Sequence, residues 1–332
     1  MTKHNLAIIP GDGIGIEVIE IAKKVLQATD LDFTSSDFDL GGARYLKDGE
    51  ILSDETLDEL RSFDAILLSA VGHMDVKPGV IERGLLLKMR FDFDQFINLR
   101  PFISDTSPSG QSVDIVCVRE NTEGPYVGEG GFLRKGTSEE IATQGSVNTR
   151  HGVERCIRYA FEIAKSRKRK NLTLVHKINV LNFSGDLWNR TFIEVAKEYP
   201  EVTSDYCHID AACIHFVDNP SKFDVIVTDN LFGDILTDLG GAISGGIGRA
   251  ASANLNPTKS TPSMFEPVHG SAPDIAGKNL ADPRAAVISA AMMCEFLGES
   301  KIARQINLAV EKTLDIKGST NEIGNAIIEA LA

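Results

Sequence analysis

Short apolar runs alternate with segments of helical period along most of this chain, and that rhythm leaves few folds open. "NLAIIP" reads as a strand, "PGDGIG" as a turn, and Ile14, Val18, Ile21, Ala22 and Val25 as the apolar face of a helix. "SFDAILLSAV" is a second buried strand, preceded by a helix that Ser53 can cap with Asp54 and Glu55 in its first turn. "VDIVCV", "LTLVHK" and "DVIVTD" read as further strands, with Val153, Ile157, Ala160, Phe161 and Ala164 forming one helix face among them. After residue 280 the pattern turns helical: Asp282 and Pro283 suit a helix start, Gly298 a stop, and two more helices follow. The alternation predicts an α/β protein with a helical C-terminal end.

At 332 residues the chain exceeds what one core usually holds, so two domains are expected. Its 42% hydrophobic content fits a globular protein, and no apolar run approaches the roughly 20 residues of a membrane helix. Pro10 and Gly11 break the N-terminal segment before it could form a signal-peptide core, so a cytoplasmic location is expected. The five cysteines are scattered and form no CxxC pair, which points to reduced core thiols. A net charge of -13 argues against nucleic acid and anionic membranes as partners. The one basic run, "SRKRKN" at 166–171, reads as a solvated helix end. The glycine-rich, polar stretch 123–150 reads as an excursion from a compact domain, with "GEGG" at 128–131 in a loop.

Several groups could carry chemistry. "PGDGIG" has GxGxG spacing rather than the GxGxxG of a Rossmann turn, and suits a tight strand-to-helix turn or a cofactor loop equally well. Arg90, Arg100 and Arg119 sit in short apolar contexts, where guanidinium groups serve ion pairs or bidentate capture of carboxylates. Asp234 and Asp238, four residues apart in "TDNLFGDILTDL", share a helix face at roughly 5 to 6 Å between Cβ atoms. They repel unless a cation such as Mg²⁺ lies between them, or they complement the dipole of a helix start. Asp229, just before that helix, suits a cap or the orientation of the pair from behind. Lys177 can take a proton when desolvated beside cations, and Tyr126 can give one.

"PGDGIG", "NLRP", "VRENTEGPY", "HKINVL", "DNLFGDILTDL" and "FEPVHGSAPDIAGK" occur in the order found in the β-decarboxylating dehydrogenases, which this chain resembles from Leu6 to its last helix. That family acts on 3-isopropylmalate, isocitrate, homoisocitrate, tartrate or D-malate. The resemblance implies a two-domain fold with a large mixed sheet and no Rossmann unit. Residues 1–98 and 248–332 would form the cofactor side, and 99–247 a central domain with the dimer interface and an arm at about 127–150.

It also implies roles by position. Arg90, Arg100 and Arg119 would bind the substrate's carboxylates. Asp234 and Asp238, with Asp210 of a second subunit, would hold Mg²⁺ or Mn²⁺, and Lys177 and Asn179 would reach in from that subunit, so the active sites of a homodimer would be shared. Lys177, Asp210 and Tyr126 would carry the acid–base chemistry of oxidation followed by loss of CO₂. The cofactor loop would be "HGSAPDIAG", with His269 near the adenine, Asp274 accepting from the ribose hydroxyls, and Gly270, Ser271, Ala272, Pro273 and Ile275 also binding the cofactor. A carboxylate there repels a 2′-phosphate, which makes NAD the expected cofactor. Asp282, often asparagine in the family, either joins this site or caps the next helix.

Substrate choice would rest on the helix before Arg90, "IERGLLLKMR", where isocitrate-specific members resemble one another in offering serine and asparagine. Leu86 and Leu87, with Val180 of the other subunit, give an apolar pocket or ordinary core packing. Such a pocket suits an isopropyl group, worth a few kcal/mol at roughly 25 cal/mol per Å² buried. Glu82 matches a family glutamate if the helix start slips by one residue. 3-Isopropylmalate is the expected substrate and D-malate the alternative, although D-malate-type members tend to carry an aromatic residue near Arg83. A metal-stabilised dimer without catalysis is the reading from another class, and the presence of Tyr126, Lys177 and Asp210 together argues against it.

Overall fold

The computed structural model describes residues 3–331, the side chain of Ile247 aside. The chain divides into two compact units, one running from its start to Gln95 and again from Gly245 to its end, the other Phe96–Ser244.

The first unit opens with β1 (His4–Ile9), α1 (Gly15–Gln27), β2 (Phe33–Asp37), α2 (Gly42–Asp48), α3 (Asp54–Leu60), β3 (Ala65–Leu68) and α4 (Lys88–Asp92). β1 pairs in parallel with β3, as expected of apolar runs joined by helices, and also with β2, a largely exposed polar strand. All four residues of β3 are buried. The Ser53 hydroxyl accepts from Thr56 N at 3.1 Å and caps α3. α1 buries Val18, Ile21, Ala22 and Val25, the face its period predicts.

In the second unit follow β4 (Ile97–Ser104), β5 (Val113–Glu120), β6 (Gly130–Leu133), β7 (Ile141–Gln144), α5 (Arg150–Ser166) and β8 (Asn171–His176). Then come α6 (Ser184–Ala196), β9 (Thr203–His208), α7 (Ile209–Asp218), β10 (Val225–Thr228) and α8 (Asn230–Ile243). Its sheet order is β4-β5-β10-β8-β9. β4 and β5 are antiparallel and the other pairs parallel, so the sheet is mixed. Phe102, Ile115, Cys117, Phe216, Phe223 and Leu236 form its core against α7 and α8.

The chain then returns to the first unit with β11 (Ala251–Leu255), β12 (Ser263–Pro267), α9 (Arg284–Leu297), α10 (Ser300–Lys312) and α11 (Thr320–Glu329). β12 pairs in parallel with β3 and antiparallel with β11, giving the order β2-β1-β3-β12-β11. Gly298 ends α9 in the left-handed region at φ 95°, the stop its sequence position predicts.

Three expectations need correction. "GEGG" is not all loop: β6 starts at Gly130 and pairs with β7, because glycine alone tolerates φ 147° with a Cβ position 2.2 Å from Thr143 O. The run "SRKRKN" is not merely solvated. Arg167 meets Asp114 at 2.7 Å and buried Asp224 at 2.5 Å. Arg169 donates to the carbonyls of Ser221, Asp114 and Phe223 at 2.8, 2.5 and 2.6 Å, so the run ties together the backbone at the start of β5 and the turn before β10. The segment before Arg90 is not a plain α-helix, since Glu82–Leu87 is π-helical and runs into α4. Its wider turn changes which residues share a face with Arg90.

All five cysteines are free, four buried and Cys213 half-buried, as core thiols should be. Among the described residues no helix is long and apolar enough to cross a membrane.

Candidate active site

The strongest cluster grows from the start of α8. Asp229 is the N-cap, its carboxylate accepting from Phe232 N at 2.8 Å, which settles that residue as a cap. One turn later Asp234 meets Arg119 Nη1 at 2.7 Å and accepts from the Tyr126 hydroxyl at 2.9 Å. Arg119 is 1% exposed, and its Nε also donates to Asn230 O at 2.8 Å. Its Nη2 reaches Asn230 Oδ1 at 2.7 Å, while its guanidinium carbon lies 5.3 Å from the Tyr126 ring centre. Gly233 makes this packing possible, because a Cβ there would lie 2.4 Å from Arg119 Cγ.

Arg100, on β4, donates to Asn98 Oδ1 at 2.8 Å and to the Thr237 hydroxyl at 2.7 Å. It stands 3.9 Å from Asp234 and 3.7 Å from Asp238. Asp238 is the outer member of the pair, with its side chain 64% exposed. Partial burial and the Asp234 charge raise its pKa from the ordinary value, against the pull of Arg100 and Arg119. A hard cation between the two carboxylates would relieve that repulsion, and their oxygens are the donor type such an ion takes. Neither aspartate lies in the first turn of α8, so the helix dipole does little for the pair, and their oxygens could hold a divalent ion.

A second group lies where β8 leaves its sheet. Lys177 Nζ donates to Asp210 Oδ1 at 2.7 Å, and this bond is the main cause of the lowered Asp210 pKa. Asn179 and Val180 stand exposed in the turn that follows, Val180 at 61%. Among the described residues of one chain, no three His, Cys, Asp or Glu side chains gather as a metal site, so Asp210 does not join Asp234 and Asp238 in such a group.

The remaining residues belong to the first unit. Arg90 is buried and its Nη2 meets Glu266 at 3.0 Å, an oxygen that Asn254 also reaches at 2.7 Å. Leu85, one residue earlier than expected, takes the core position, while Leu86 packs half-buried on that core and Leu87 is half-buried. Glu82 is exposed at the start of the π-helical turn.

His269 is buried and its Nδ1 lies 3.1 Å from Gly270 O, whereas Nε2 has no partner. Burial lowers its pKa from the usual histidine value, so the ring is neutral. With Nδ1 donating to Gly270 O, the buried Nε2 is an unmatched acceptor, and an adenine amino group is a donor of the kind it lacks. Gly270, Pro273 and Asp274 are exposed, and Ser271, Ala272 and Ile275 half-buried. Asp282 accepts from Arg284 N at 3.0 Å and pairs with its guanidinium at 2.8 Å. It thus holds the start of α9 from one residue further out than a formal cap, because Pro283 occupies that position.

"PGDGIG" proves to be a buttress. Ile14 N donates to Ser271 O at 2.9 Å, and the buried Asp12 carboxylate accepts from Gly42, Ala43 and Gly72 N at 2.7, 2.9 and 2.8 Å. The sequence reading missed Asp12, Asn230, Thr237 and Glu266. Asp12 stood inside a quoted motif, and a buried acid in a glycine turn was the available signal; nothing local marks the other three.

The sequence profile of the isocitrate/isopropylmalate dehydrogenase family matches residues 5–330. The chain is 58% identical to the 3-isopropylmalate dehydrogenase of Corynebacterium glutamicum (strain R), over 98% of this chain and 99% of that one. With the 3-isopropylmalate dehydrogenase of Streptomyces coelicolor the identity is 54% over 99% and 98%. The crystal structure of isocitrate dehydrogenase from Methylococcus capsulatus superposes with a TM-score of 0.91 at 38% identity, covering 99% of each chain.

Proposed function

We infer that this chain, which belongs to the isocitrate/isopropylmalate dehydrogenase family, oxidises 3-isopropylmalate with NAD and Mg²⁺ or Mn²⁺, yielding 4-methyl-2-oxopentanoate and CO₂ for leucine biosynthesis. The observation that carries the chemistry is the contact set of Arg119, Asp234 and Tyr126, in which a buried guanidinium, a carboxylate and a phenol meet within 2.7 to 2.9 Å.

Asp234 and Asp238 would hold the divalent ion, with Asp210 of a second copy. When bound, the ion would supply Lewis-acid polarisation of the C2 oxygen and the nicotinamide would supply the hydride acceptor. Arg100 and Arg119 bind and orient the substrate carboxylates, a role guanidinium geometry suits, and Arg90 and Asn179 enter the proposal on the strength of their motifs. Lys177 of the second copy, held by Asp210, would help remove the proton of the C2 hydroxyl. After CO₂ leaves, Tyr126 protonates the enol carbon; its hydroxyl proton, held on Asp234 in the free enzyme, is already aimed at that cluster. For the cofactor, the unpartnered His269 Nε2 fits the adenine amine and the exposed Asp274 favours a ribose hydroxyl over a phosphate.

A homodimer is part of the proposal. Ile214 and Val217 on α7, and Leu231 and Ile235 on α8, leave apolar side chains 38 to 61% exposed on two helices that pack together. A second copy would cover such a face. Steady-state NAD reduction with 3-isopropylmalate, D-malate, homoisocitrate and isocitrate side by side tests the reading. The highest kcat/KM is expected for 3-isopropylmalate, and a higher value for D-malate would overturn the substrate assignment.

A further inference from the structure

Lys177 is the first residue beyond β8, where the chain leaves the ladder and the sheet no longer holds its backbone. Tyr206, on the neighbouring parallel strand β9, stands in for the missing ladder. Its hydroxyl oxygen lies 3.1 Å from His176 O and 3.2 Å from Ile178 N, the peptide groups flanking Lys177 on either side. It also lies 2.7 Å from His208 Nδ1, and the two rings meet edge to face at 5.0 Å. The strand register makes this possible, because Leu174 pairs with Tyr206 and His176 with His208. Beyond the lysine, its carbonyl accepts from Val180 N at 3.1 Å and Leu181 N at 2.9 Å. A Cβ on Gly185 would come within 2.8 Å of Ile178 Cα, so the turn is also packed from behind.

Hydrogen-bond counting goes further. A phenol has one proton and two lone pairs. Burial raises the Tyr206 pKa from its usual value, against the donation from Ile178 N, so the hydroxyl keeps its proton. Ile178 N–H fills one lone pair. If the proton goes to His176 O, the second lone pair is free for an N–H, and His208 Nδ1 must be the donor. The opposite tautomer of His208 would take the tyrosine proton and leave His176 O without this bond. Only the Nδ1–H form satisfies all three contacts.

We propose that Tyr206 is a positioning residue for Lys177, pinning the peptide groups on both its sides, and that His208, as its Nδ1–H tautomer, locks the tyrosine hydroxyl in that orientation. This rests on the proposed role of Lys177, and it deepens that reading by naming what aims the lysine at the C2 hydroxyl proton.

Tyr206→Phe removes one oxygen and keeps the ring. The full-length enzyme with 3-isopropylmalate, NAD and Mg²⁺ is expected to lose kcat by roughly tenfold while KM stays within about twofold. In a cycle with Lys177→Ala, the tyrosine substitution should cost nothing further, since the group it positions is gone. Equal losses in both backgrounds, or an unchanged kcat, would overturn the proposal. Two readouts stand apart from turnover. Amide hydrogen exchange at Ile178 should speed up at least tenfold in Tyr206→Phe, and ring ¹⁵N shifts should give His208 as Nδ1–H in the unsubstituted protein. An unchanged Ile178 exchange rate or an Nε2–H tautomer overturns it even if the enzyme is active. Failure of the unsubstituted enzyme on 3-isopropylmalate, with both readouts as expected, instead overturns the substrate assignment and leaves the positioning contact supported.

Discussion

Arg119 and Gly233 show how little freedom single residues have at the cluster. The arginine is buried with Asn230 and Asp234 around its guanidinium, and the glycine is what lets its stem pass α8. Gly233→Ala is expected to push the stem aside, costing about 1 to 3 kcal/mol of stability in urea titrations and lowering kcat/KM by about tenfold or more. A variant with normal kinetics would mean that the ion pair tolerates displacement. Glu120, the next residue after Arg119, gives a pH signature. Burial pushes its carboxyl up to about 7, outweighing the donations from Thr122 and Glu123 that favour its charge. A folded-state value raised above the unfolded one, ~4.3, means its contribution is full below that lower pH and is lost as pH rises through about 7. The difference amounts to roughly 4 kcal/mol. Glu120→Gln is therefore expected to be less stable at pH 5 yet to lose far less between pH 5 and 8, measured by urea unfolding across that range.

Elements carry their own consequences, and α8 carries the most. Its N-cap Asp229 also lies 3.3 Å from the fully buried His176, which sits against Trp188 and Phe232. Asp229→Ala should cost about 1 kcal/mol through the lost cap. It should also loosen the first turn, on which the turn carrying Asp234 is built, so calorimetric Mg²⁺ affinity is expected to fall severalfold; an unchanged affinity would separate cap from metal pair. The period-based reading of elements worked where one face meets one core, as in α1 and α5. It failed before Arg90, because a π-helical turn is a response to packing rather than to local preference.

For the whole molecule, the proposed homodimer is the level at which Lys177 and Asp210 would meet Asp234 and Asp238. Ile214→Glu, on the exposed face of α7, is expected to give monomers in sedimentation analysis and to reduce turnover at least tenfold. A fully active monomer would refute shared sites. Ligand linkage supplies the second test: Mg²⁺ at about 100 times its Kd should stabilise the protein by roughly 2.7 kcal/mol, and Asp234→Asn should abolish that gain.

The motifs legible in the sequence are local ones: strand and helix periods, Ser53 as a cap, Gly298 as a stop, and acidic residues four apart on α8. These follow from interactions within a turn or two, which any reader of consecutive residues can count. What partners Arg90 was not legible, since Glu266 lies 176 residues away and meets it only because the first unit is built from both chain ends. The same holds for Arg100 on Thr237, for the clamp of Arg167 and Arg169, and for Tyr206 on the peptides around Lys177. Sequence alone determined the kinds of element and the chemical groups available. Tertiary packing decided which buried polar groups face one another, because each had to find a partner away from water and only the fold determines which is within reach.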